Sequence, residues 1–465
     1  MEKSDRPNIV MVVMDTTRAQ SISCYGHDRE TTPFLDGLAE DNIRYEKAVV
    51  QENWTLPSHA SMFSGKYASE HGVTGSRSYS DIDPFMDDLS DKGYTTIGLA
   101  NVAYLSPEFG ADEMFDDFEY VPGKSFFNGL EMERDDFHSA EGFRKYLDLL
   151  GEIVSSGQVG KLFTGARKFF GKELLLRDSG ARKTNRKVRE RLEDTEEPFF
   201  LFLNYVEPHY PYLPPFPYSH TFLDLKTSPG KIKKKGSQDF GRYSIGENEP
   251  SEEELEFLKK IYDSEIRYLD SRLEKLYEYL EEKYPDTVFI FTSDHGEQFY
   301  ENGLFVHKSG GFYREVKEVP LIEVFPEERS EEVSEPVELR ALAEHVPELA
   351  DEEFTSIESE EPVLSEDIGP GEERVDEPNI VRQDYGFYGV SVQDEEYKFV
   401  WYSSGRKELY RMPEEEKVED EEKAEELEQV VLDRVGNPEE NDYRRETVEP
   451  EDEEIKERLE ELGYM

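Results

Sequence analysis

The sequence predicts an α/β protein with a doubly wound mixed sheet flanked by helices, followed by a small C-terminal α+β subdomain. Continuous apolar runs, each with the length of a buried strand, recur along the N-terminal two thirds of the chain, and a long helical pattern separates the last two. Polar residues follow directly after three of these runs, which is typical of a ligand site at the carboxyl ends of parallel strands.

The apolar runs have the composition of central strands covered on both faces. They are NIVMVVM at residues 8–14, TTIGLA at 95–100, PFFLFLNYV at 198–206 and TVFIFT at 287–292. Between the last two, residues 251–284 carry Leu and Ile at intervals of three to five, which predicts a helix with one buried and one acidic face. Thr32 is predicted to cap a helix that has Pro33 at its first position. Alternating strands and helices indicate a doubly wound sheet.

We divide the chain into one large α/β domain at residues 1–375 and a small α+β subdomain with acidic helices at 376–465. Residues 385–402 alternate like two antiparallel strands joined by an acidic turn. Residues about 120–190 and the basic stretch 226–242 have the character of insertions. A solvated surface loop is the preferred interpretation of the basic stretch, and a funnel for an anionic substrate is the alternative.

The charge balance is strongly acidic, with 54 basic and 107 acidic residues and a formal net charge of −53 in 465 residues. We interpret this as a halophilic-type surface, whose self-repulsion reaches only ~3 Å in 1 M salt. Nucleic acid is excluded as a partner, because phosphate binding needs a basic face.

The chain has a single cysteine, Cys24, so it cannot form an intrachain disulfide. Neither a signal peptide nor the ~20 apolar residues of a transmembrane segment are found, so we expect a cytoplasmic location.

Two candidate metal-binding motifs follow buried strands. Asp15 ends the first apolar run, and a carboxylate in that position needs a partner such as a hard divalent cation; the alternative is an N-cap for the next helix. Asp294 and His295 lie in SDHGE after the fourth run and offer one oxygen and one nitrogen ligand to the same ion. A structural Asp-His turn is the less favoured alternative.

Thr55 is the candidate nucleophile. It lies in WTLPSHASMFSG, where a helix is predicted to begin near Ser58. A hydroxyl at the N-terminal end of a helix is in a positive field that favours its alkoxide and attracts an anionic ester. Taken alone, this motif is more often an ordinary helix start.

These motifs together resemble the sulfatase family of the alkaline phosphatase superfamily. The resemblance is carried by residues 7–73, which include VMDTTR and WTLPSHASMFSG, by NYVEPHYPYLPP, by TSDHGEQFYENGLFVHKSGGFYREVKEVPLI, and by EEYKFVWYSSGRKELYRM. It covers most of the chain, in the family's order. It implies that the large domain is the catalytic domain, and that its fold is the alkaline phosphatase/sulfatase-like one.

Carried over by residue, the resemblance implies that Asp15, Asp294 and His295 bind one divalent metal ion, which Thr55 also contacts. It places His59, His209, His307 and Lys308 around the anionic group of the substrate, where imidazoles can donate to ester oxygens or protonate a leaving alkoxide. For each of these histidines a structural role is the alternative.

The chain departs from the family pattern at the nucleophile. Sulfatases carry Cys or Ser in a C/S-x-P-x-R motif and oxidise it to formylglycine, whereas this chain has Thr55 there and His59 at the arginine position. Oxidation of threonine would give a ketone, so no formylglycine is expected. Thr16 replaces the family's second N-terminal aspartate, and Ca²⁺, Mg²⁺ and Mn²⁺ all remain candidates for the metal.

The sequence therefore predicts a metal-dependent hydrolase of sulfate or phosphate esters with Thr55 as nucleophile. A threonine nucleophile resembles that of phosphodiesterases and phosphoglycerol transferases of the superfamily, so a phosphoryl-group transferase is an alternative. A non-catalytic sulfatase-like protein is another. The expected substrate is a small-molecule or glycan ester, and the sequence leaves the oligomeric state open.

Overall fold

The computed structural model describes residues 6–74, 78–122, 180–244, 246–307, 311–351, 354–357, 362–369, 388–441, 443 and 455–456. Two sheets organise these residues. The strands of the large sheet are β1 Asn8–Met14, β2 Ile43–Val49, β3 Thr95–Ala100, β4 Asp117–Tyr120, β5 Phe199–Tyr205, β6 Thr287–Thr292, β7 Glu318–Val324, β8 Glu331–Val333 and β9 Val337–Glu338.

The large sheet is mixed. Its strand order is β4-β3-β5-β1-β6-β7-β2-β8, and β9 pairs with β2. The first five of these strands are parallel, whereas β7 runs antiparallel to both β6 and β2. Strand β1 lies between β5 and β6 and is buried along its whole length, as its uninterrupted apolar run predicts. The four predicted strands are confirmed to within one residue.

The large domain contains ten α-helices among the described residues, and the longer ones flank this sheet. They are Pro33–Asp41, Thr55–Ser64, Ala68–His71, Phe85–Asp91, Ala181–Arg191, Pro229–Lys233, Phe240–Ser244, Glu252–Lys283, Arg314–Lys317 and Leu342–Leu349, and Glu421–Arg434 packs on the second sheet. A mixed sheet flanked by helices, with a separate antiparallel sheet, confirms the predicted fold class.

The long helix begins where its sequence predicts. The hydroxyl of Ser251 accepts a hydrogen bond from the Glu254 amide, and the Glu254 carboxylate accepts one from the Ser251 amide at 2.9 Å, which forms a capping box. The helix predicted after Thr32 does begin at Pro33, but the predicted side-chain cap is wrong, since the Thr32 side chain caps no amide of that helix. The carboxylate of Asp270, from the long helix, accepts from the amides of Phe34 and Leu35 instead, at 3.2 and 3.1 Å.

The face of the large sheet that lies away from the long helix Glu252–Lys283 is packed largely with aromatic rings. Phe63 is fully buried and meets Phe202 edge-on at 5.1 Å between ring centroids, and Phe115 stacks on Phe202 at 5.8 Å. This packing fixes the helix Thr55–Ser64 against the carboxyl half of β5, and so it positions the start of that helix over the strand ends.

The second sheet is antiparallel, in the order β10 Val363–Ile368, β11 Tyr388–Gln393, β12 Tyr397–Tyr402, β13 Lys407–Arg411 and β14 Glu416–Lys417. One of the acidic helices predicted for this subdomain is Glu421–Arg434, which follows β14. Buried charges join the two sheets: the Lys317 ammonium donates to the Glu366 carbonyl at 2.7 Å. Burial lowers the pKa of Lys317 to about 8. No helix among the described residues is long and apolar enough to cross a membrane.

Candidate active site

The predicted metal ligands come together at the carboxyl ends of two neighbouring strands. Asp15 follows β1, and Asp294 and His295 follow β6. Each of the three side chains offers one ligand atom, these atoms lie within 4.8 Å of one another, and all three residues are fully buried. The adjacency of β1 and β6 therefore produces the cluster that the sequence predicts.

An unusual backbone turn holds this cluster. Thr16 has a φ of 55°, in the left-handed region that β-branched residues rarely adopt. Its amide donates to Asp294 Oδ1 at 3.2 Å, and its carbonyl accepts from the Tyr262 hydroxyl at 2.6 Å. The Ser293 hydroxyl accepts from the Thr17 amide at 2.9 Å. Thr16, where the family has a second aspartate, thus contributes a backbone amide that orients Asp294.

Thr55 lies beside the metal cluster. The helix begins at Thr55, so the predicted start near Ser58 is wrong. Pro57 is in the first turn, where its missing N–H has no helical partner to lose. Thr55 Oγ1 is 3.4 Å from His295 Nε2, and the Ser58 hydroxyl donates to the Asp294 carbonyl at 2.5 Å. The first turn of this helix and the SDHGE motif are therefore joined by a direct hydrogen bond.

His59 is one turn further along the same helix. Its Nδ1 donates to the Thr55 carbonyl at 2.8 Å, and the same nitrogen is 3.7 Å from Asp294 Oδ2. Burial is the main influence on this imidazole and lowers the pKa of His59. His59 therefore packs against Thr55 and the predicted metal ligands as a neutral group, where an arginine would bring a permanent charge.

His209 and His307 lie on the other side of His295. The His307 ring is 4.4 Å from the His295 ring and 5.2 Å from the His209 ring, between centroids. The Glu297 carboxylate accepts from His307 Nδ1 at 3.2 Å and from the Tyr212 hydroxyl at 2.8 Å. The structure thus brings all four predicted site histidines and Thr55 to one edge of the sheet. Lys308 lies outside the described residues.

The electrostatics of this edge are dominated by burial. Burial, and then His307, lowers the pKa of His209 to about 3, and burial holds the pKa of His295 well below its usual range. Burial raises the pKa of Asp294, and it raises the pKa of Glu297 to about 7. Protein groups alone therefore stabilise these carboxylates poorly, whereas a bound cation would stabilise them.

These residues fit a divalent cation. Two carboxylates and one imidazole are a donor set that Mg²⁺, Mn²⁺ and Ca²⁺ accept. His295 Nδ1 donates to the Gly296 carbonyl at 3.0 Å, which directs the Nε2 lone pair toward the cluster. Within the described part of the chain, no lysine or arginine forms an ion pair with Asp294. A buried carboxylate in such a place needs a cation.

Sequence reasoning did not identify several residues of the site. Glu297 is inside the SDHGE motif, and that position was the available signal. Ser58, Tyr212 and Arg18 also lie inside quoted motifs, but nothing in those motifs indicates their contacts. Arg18 donates to the Glu297 carbonyl at 3.3 Å and pairs with Glu301 at 3.2 Å. Their roles depend on contacts between segments that are distant in the chain.

Comparisons with known proteins agree with this architecture. A family model described as Sulfatase matches residues 7–351. The uncharacterized sulfatase YidJ of Escherichia coli strain K12 is 23% identical over 408 residues, which are 83% of this chain and 74% of that protein.

Two solved structures share the fold. A protein solved in complex with its substrate D-glucosamine-2-N,6-O-disulfate superposes with a TM-score of 0.66 at 17% identity, covering 94% of this chain and 99% of the other. The phosphonate monoester hydrolase of Agrobacterium radiobacter gives a TM-score of 0.60 at 18% identity, covering 88% and 90%. The chain therefore belongs to the sulfatase family and is a hydrolase of sulfuric or phosphoric esters.

Proposed function

We propose that this protein is a metal-dependent phosphoester hydrolase in which Thr55 attacks phosphorus and forms a covalent phosphothreonine. The observation that carries the proposal is the position of Thr55 Oγ1, at the first residue of a helix and 3.4 Å from His295 Nε2 in the metal cluster. The natural substrate we propose is a phosphate ester of a small molecule or glycan.

The nucleophile is favoured by its surroundings. The N-terminal end of the helix Thr55–Ser64 carries a partial positive charge, which stabilises an alkoxide and attracts an anionic ester. Asp15, Asp294 and His295 would hold one divalent cation, and such an ion lowers the pKa of a hydroxyl beside it and polarises the ester oxygen. Because a threonine cannot be converted to formylglycine, the aldehyde chemistry of sulfatases does not apply at Thr55, and direct attack is the remaining covalent route.

His307 is the group we assign to protonate the leaving oxygen. Glu297 accepts its Nδ1 proton at 3.2 Å, which favours the imidazolium and leaves Nε2 to act on the substrate side. His209 is less suited to this role, because its pKa is lowered to about 3 and it stays neutral. His209 would instead orient the ester through hydrogen bonding.

The reaction balances as two displacements. Thr55, having lost its proton to solvent, forms the Oγ1–P bond as the bond from phosphorus to the leaving oxygen breaks, and that oxygen takes the proton of His307. Water then attacks the phosphothreonine and gives a proton to the neutral His307 as the Oγ1–P bond breaks, and Thr55 Oγ1 takes a proton from solvent. If an alcohol takes the place of water, the same intermediate gives phosphoryl transfer.

The test compares Thr55→Ala with Thr55→Ser and with Thr195→Ala, a matched threonine at a distant helix end. Chromogenic phosphodiester, phosphomonoester and sulfate esters are assayed in high salt with Mg²⁺, Mn²⁺ or Ca²⁺. We expect Thr55→Ala to lower phosphodiester turnover by about 10³-fold or more, Thr55→Ser to retain part of it, and Thr195→Ala to match the natural chain.

A second measurement identifies the intermediate. Acid quenching during turnover, followed by peptide mass spectrometry, should find phosphate on Thr55. Undiminished phosphodiester turnover in Thr55→Ala would overturn the proposal, and so would sulfate release that depends on Thr55 and exceeds phosphoester turnover. Addition of an acceptor alcohol, with analysis of the products, separates hydrolysis from group transfer.

A further inference from the structure

Residues 216–236, called the lysine segment below, have the most exposed apolar side chains in the described structure. Phe216 is 59% exposed and Leu225 is 82% exposed, whereas the other large apolar side chains counted as exposed there, Leu432 and Tyr443, reach only 37% and 36%. Two such side chains in one short segment form an apolar surface that water solvates poorly.

The same segment reverses the charge of the protein. It contains five lysines and one acid, in a chain whose formal net charge is −53. Lys226 and Lys231 are exposed and form no ion pair with any acid in the described parts of the chain. In concentrated salt a charge acts over only ~3 Å. The electrostatic interaction of this segment with another surface is therefore determined by its own lysines and not by the acidic residues elsewhere on the protein.

Local contacts fix the apolar side chains at the surface. The Phe216 ring packs on the His220 ring at 6.0 Å, and His220 Nε2 donates to the Thr227 carbonyl at 2.9 Å. The Lys226 amide donates to Asp224 Oδ1 at 2.7 Å. His220 thereby connects the part of the segment that carries Phe216 with the turn that carries Leu225.

We propose that the lysine segment docks this protein on the surface of an anionic lipid bilayer. Phe216 and Leu225 would enter the boundary between headgroups and acyl chains, and Lys226 and Lys231 would contact anionic headgroups. Lys234 and Lys235 already form ion pairs with acids of the protein. A soluble polyanion such as a sulfated polysaccharide would satisfy the lysines, but it offers no apolar phase for Leu225. The bilayer therefore accounts for both the charge and the exposed aliphatic side chain.

Docking of this segment would turn the active site toward the bilayer. The Tyr212 amide donates to the Gly236 carbonyl at 2.9 Å, and a side chain at position 236 would collide with the Tyr212 backbone. The hydroxyl of Tyr212 donates to Glu297, which binds His307. Tyr212 thus contacts both the end of the lysine segment and Glu297 at the predicted active site.

Vesicle flotation tests the proposal with the full chain. Vesicles of phosphatidylcholine alone are compared with vesicles that also contain phosphatidylglycerol, in about 1 M salt, where a charge acts over only ~3 Å and near-UV circular dichroism shows the native fold. Two double variants are used: Phe216→Ser with Leu225→Ser, and Lys226→Glu with Lys231→Glu.

Matched controls carry the same changes elsewhere on the surface. Leu432→Ser with Tyr443→Ser removes two other exposed apolar side chains, and Lys66→Glu with Lys275→Glu reverses two other exposed lysines. All variants should keep the natural melting temperature and the natural turnover of a soluble chromogenic ester.

We expect the natural chain and both controls to float with the anionic vesicles and not with phosphatidylcholine alone. Each variant of the lysine segment should lower the ratio of bound to free protein by about tenfold or more. Failure of the natural chain to float, or equal flotation of the segment variants, would overturn the proposal. It would also be overturned if dextran sulfate bound at the segment while anionic vesicles did not, since the occupant would then be a polyanion.

Discussion

Replacing Glu297 by glutamine tests whether His307 supplies the proton to the leaving oxygen. The carboxylate accepts from His307 Nδ1 at 3.2 Å and from Tyr212 at 2.8 Å, in a fully buried position. Glutamine keeps the shape but removes the charge that stabilises the imidazolium. A hydrogen bond to a charged group contributes about 1.5–3 kcal/mol, so kcat for an alkyl phosphodiester should fall about 10- to 100-fold.

The dependence on the leaving group is the decisive measurement. A nitrophenolate leaves without much help from an acid, so turnover of a nitrophenyl ester should change by less than about threefold in Glu297→Gln. Tyr212→Phe is the matched control, because it removes the other hydrogen bond to Glu297 and leaves the His307 contact in place. Equal losses on the alkyl and nitrophenyl esters, or loss of bound metal, would refute the assignment and make Glu297 a structural residue of the metal motif.

Three further outcomes follow from the structure. Asp294→Asn should remove the rise in melting temperature that a divalent ion produces, which corresponds to about 2.7 kcal/mol at 100 times the Kd; a shift that persists in this variant would contradict the metal site. Burial raises the pKa of Asp270 to about 7 from 3.8, so the folded chain holds a proton that the unfolded chain has released, and stability should fall as pH rises through that window. Urea titrations of Asp270→Asn should show a flatter pH dependence there than the natural chain shows, and equal slopes would contradict the assignment. Phe63→Ala should lower the free energy of unfolding by about 3–5 kcal/mol in urea titrations, and a loss below about 1 kcal/mol would contradict the packing described for its ring.

The large sheet could be predicted closely from the sequence because its central strands are buried on both faces, and strands of this kind have uninterrupted apolar sequences. The errors concern helix starts. Thr32 has the composition of a cap, but Asp270, more than two hundred residues away, occupies that role. The helix predicted to begin near Ser58 begins at Thr55 instead, although the residue before a proline generally disfavours helical geometry.

The metal cluster could be predicted because its members follow strands that a doubly wound sheet places side by side. The contacts that position Thr55 could not. The bond from Ser58 to the Asp294 carbonyl joins residues 236 positions apart, and the turn at Thr16 becomes visible only as a positive φ. Such contacts depend on tertiary packing between distant segments, which a local sequence pattern does not predict.

Burial, more than the abundance of acidic residues, distinguishes the site. With 107 acids in the chain, composition alone cannot separate a ligand from a hydrated surface carboxylate. Several buried acids serve visible structural roles: Asp270 accepts from two helix amides, and Glu366 accepts from the Ser69 amide at 2.8 Å and from the Tyr388 hydroxyl. Asp15 and Asp294 differ, because they are fully buried together with His295, with their ligand atoms within 4.8 Å. Two carboxylates held so close away from water are stable when a cation lies between them, and under the proposed function that cation would also activate the neighbouring Thr55 hydroxyl.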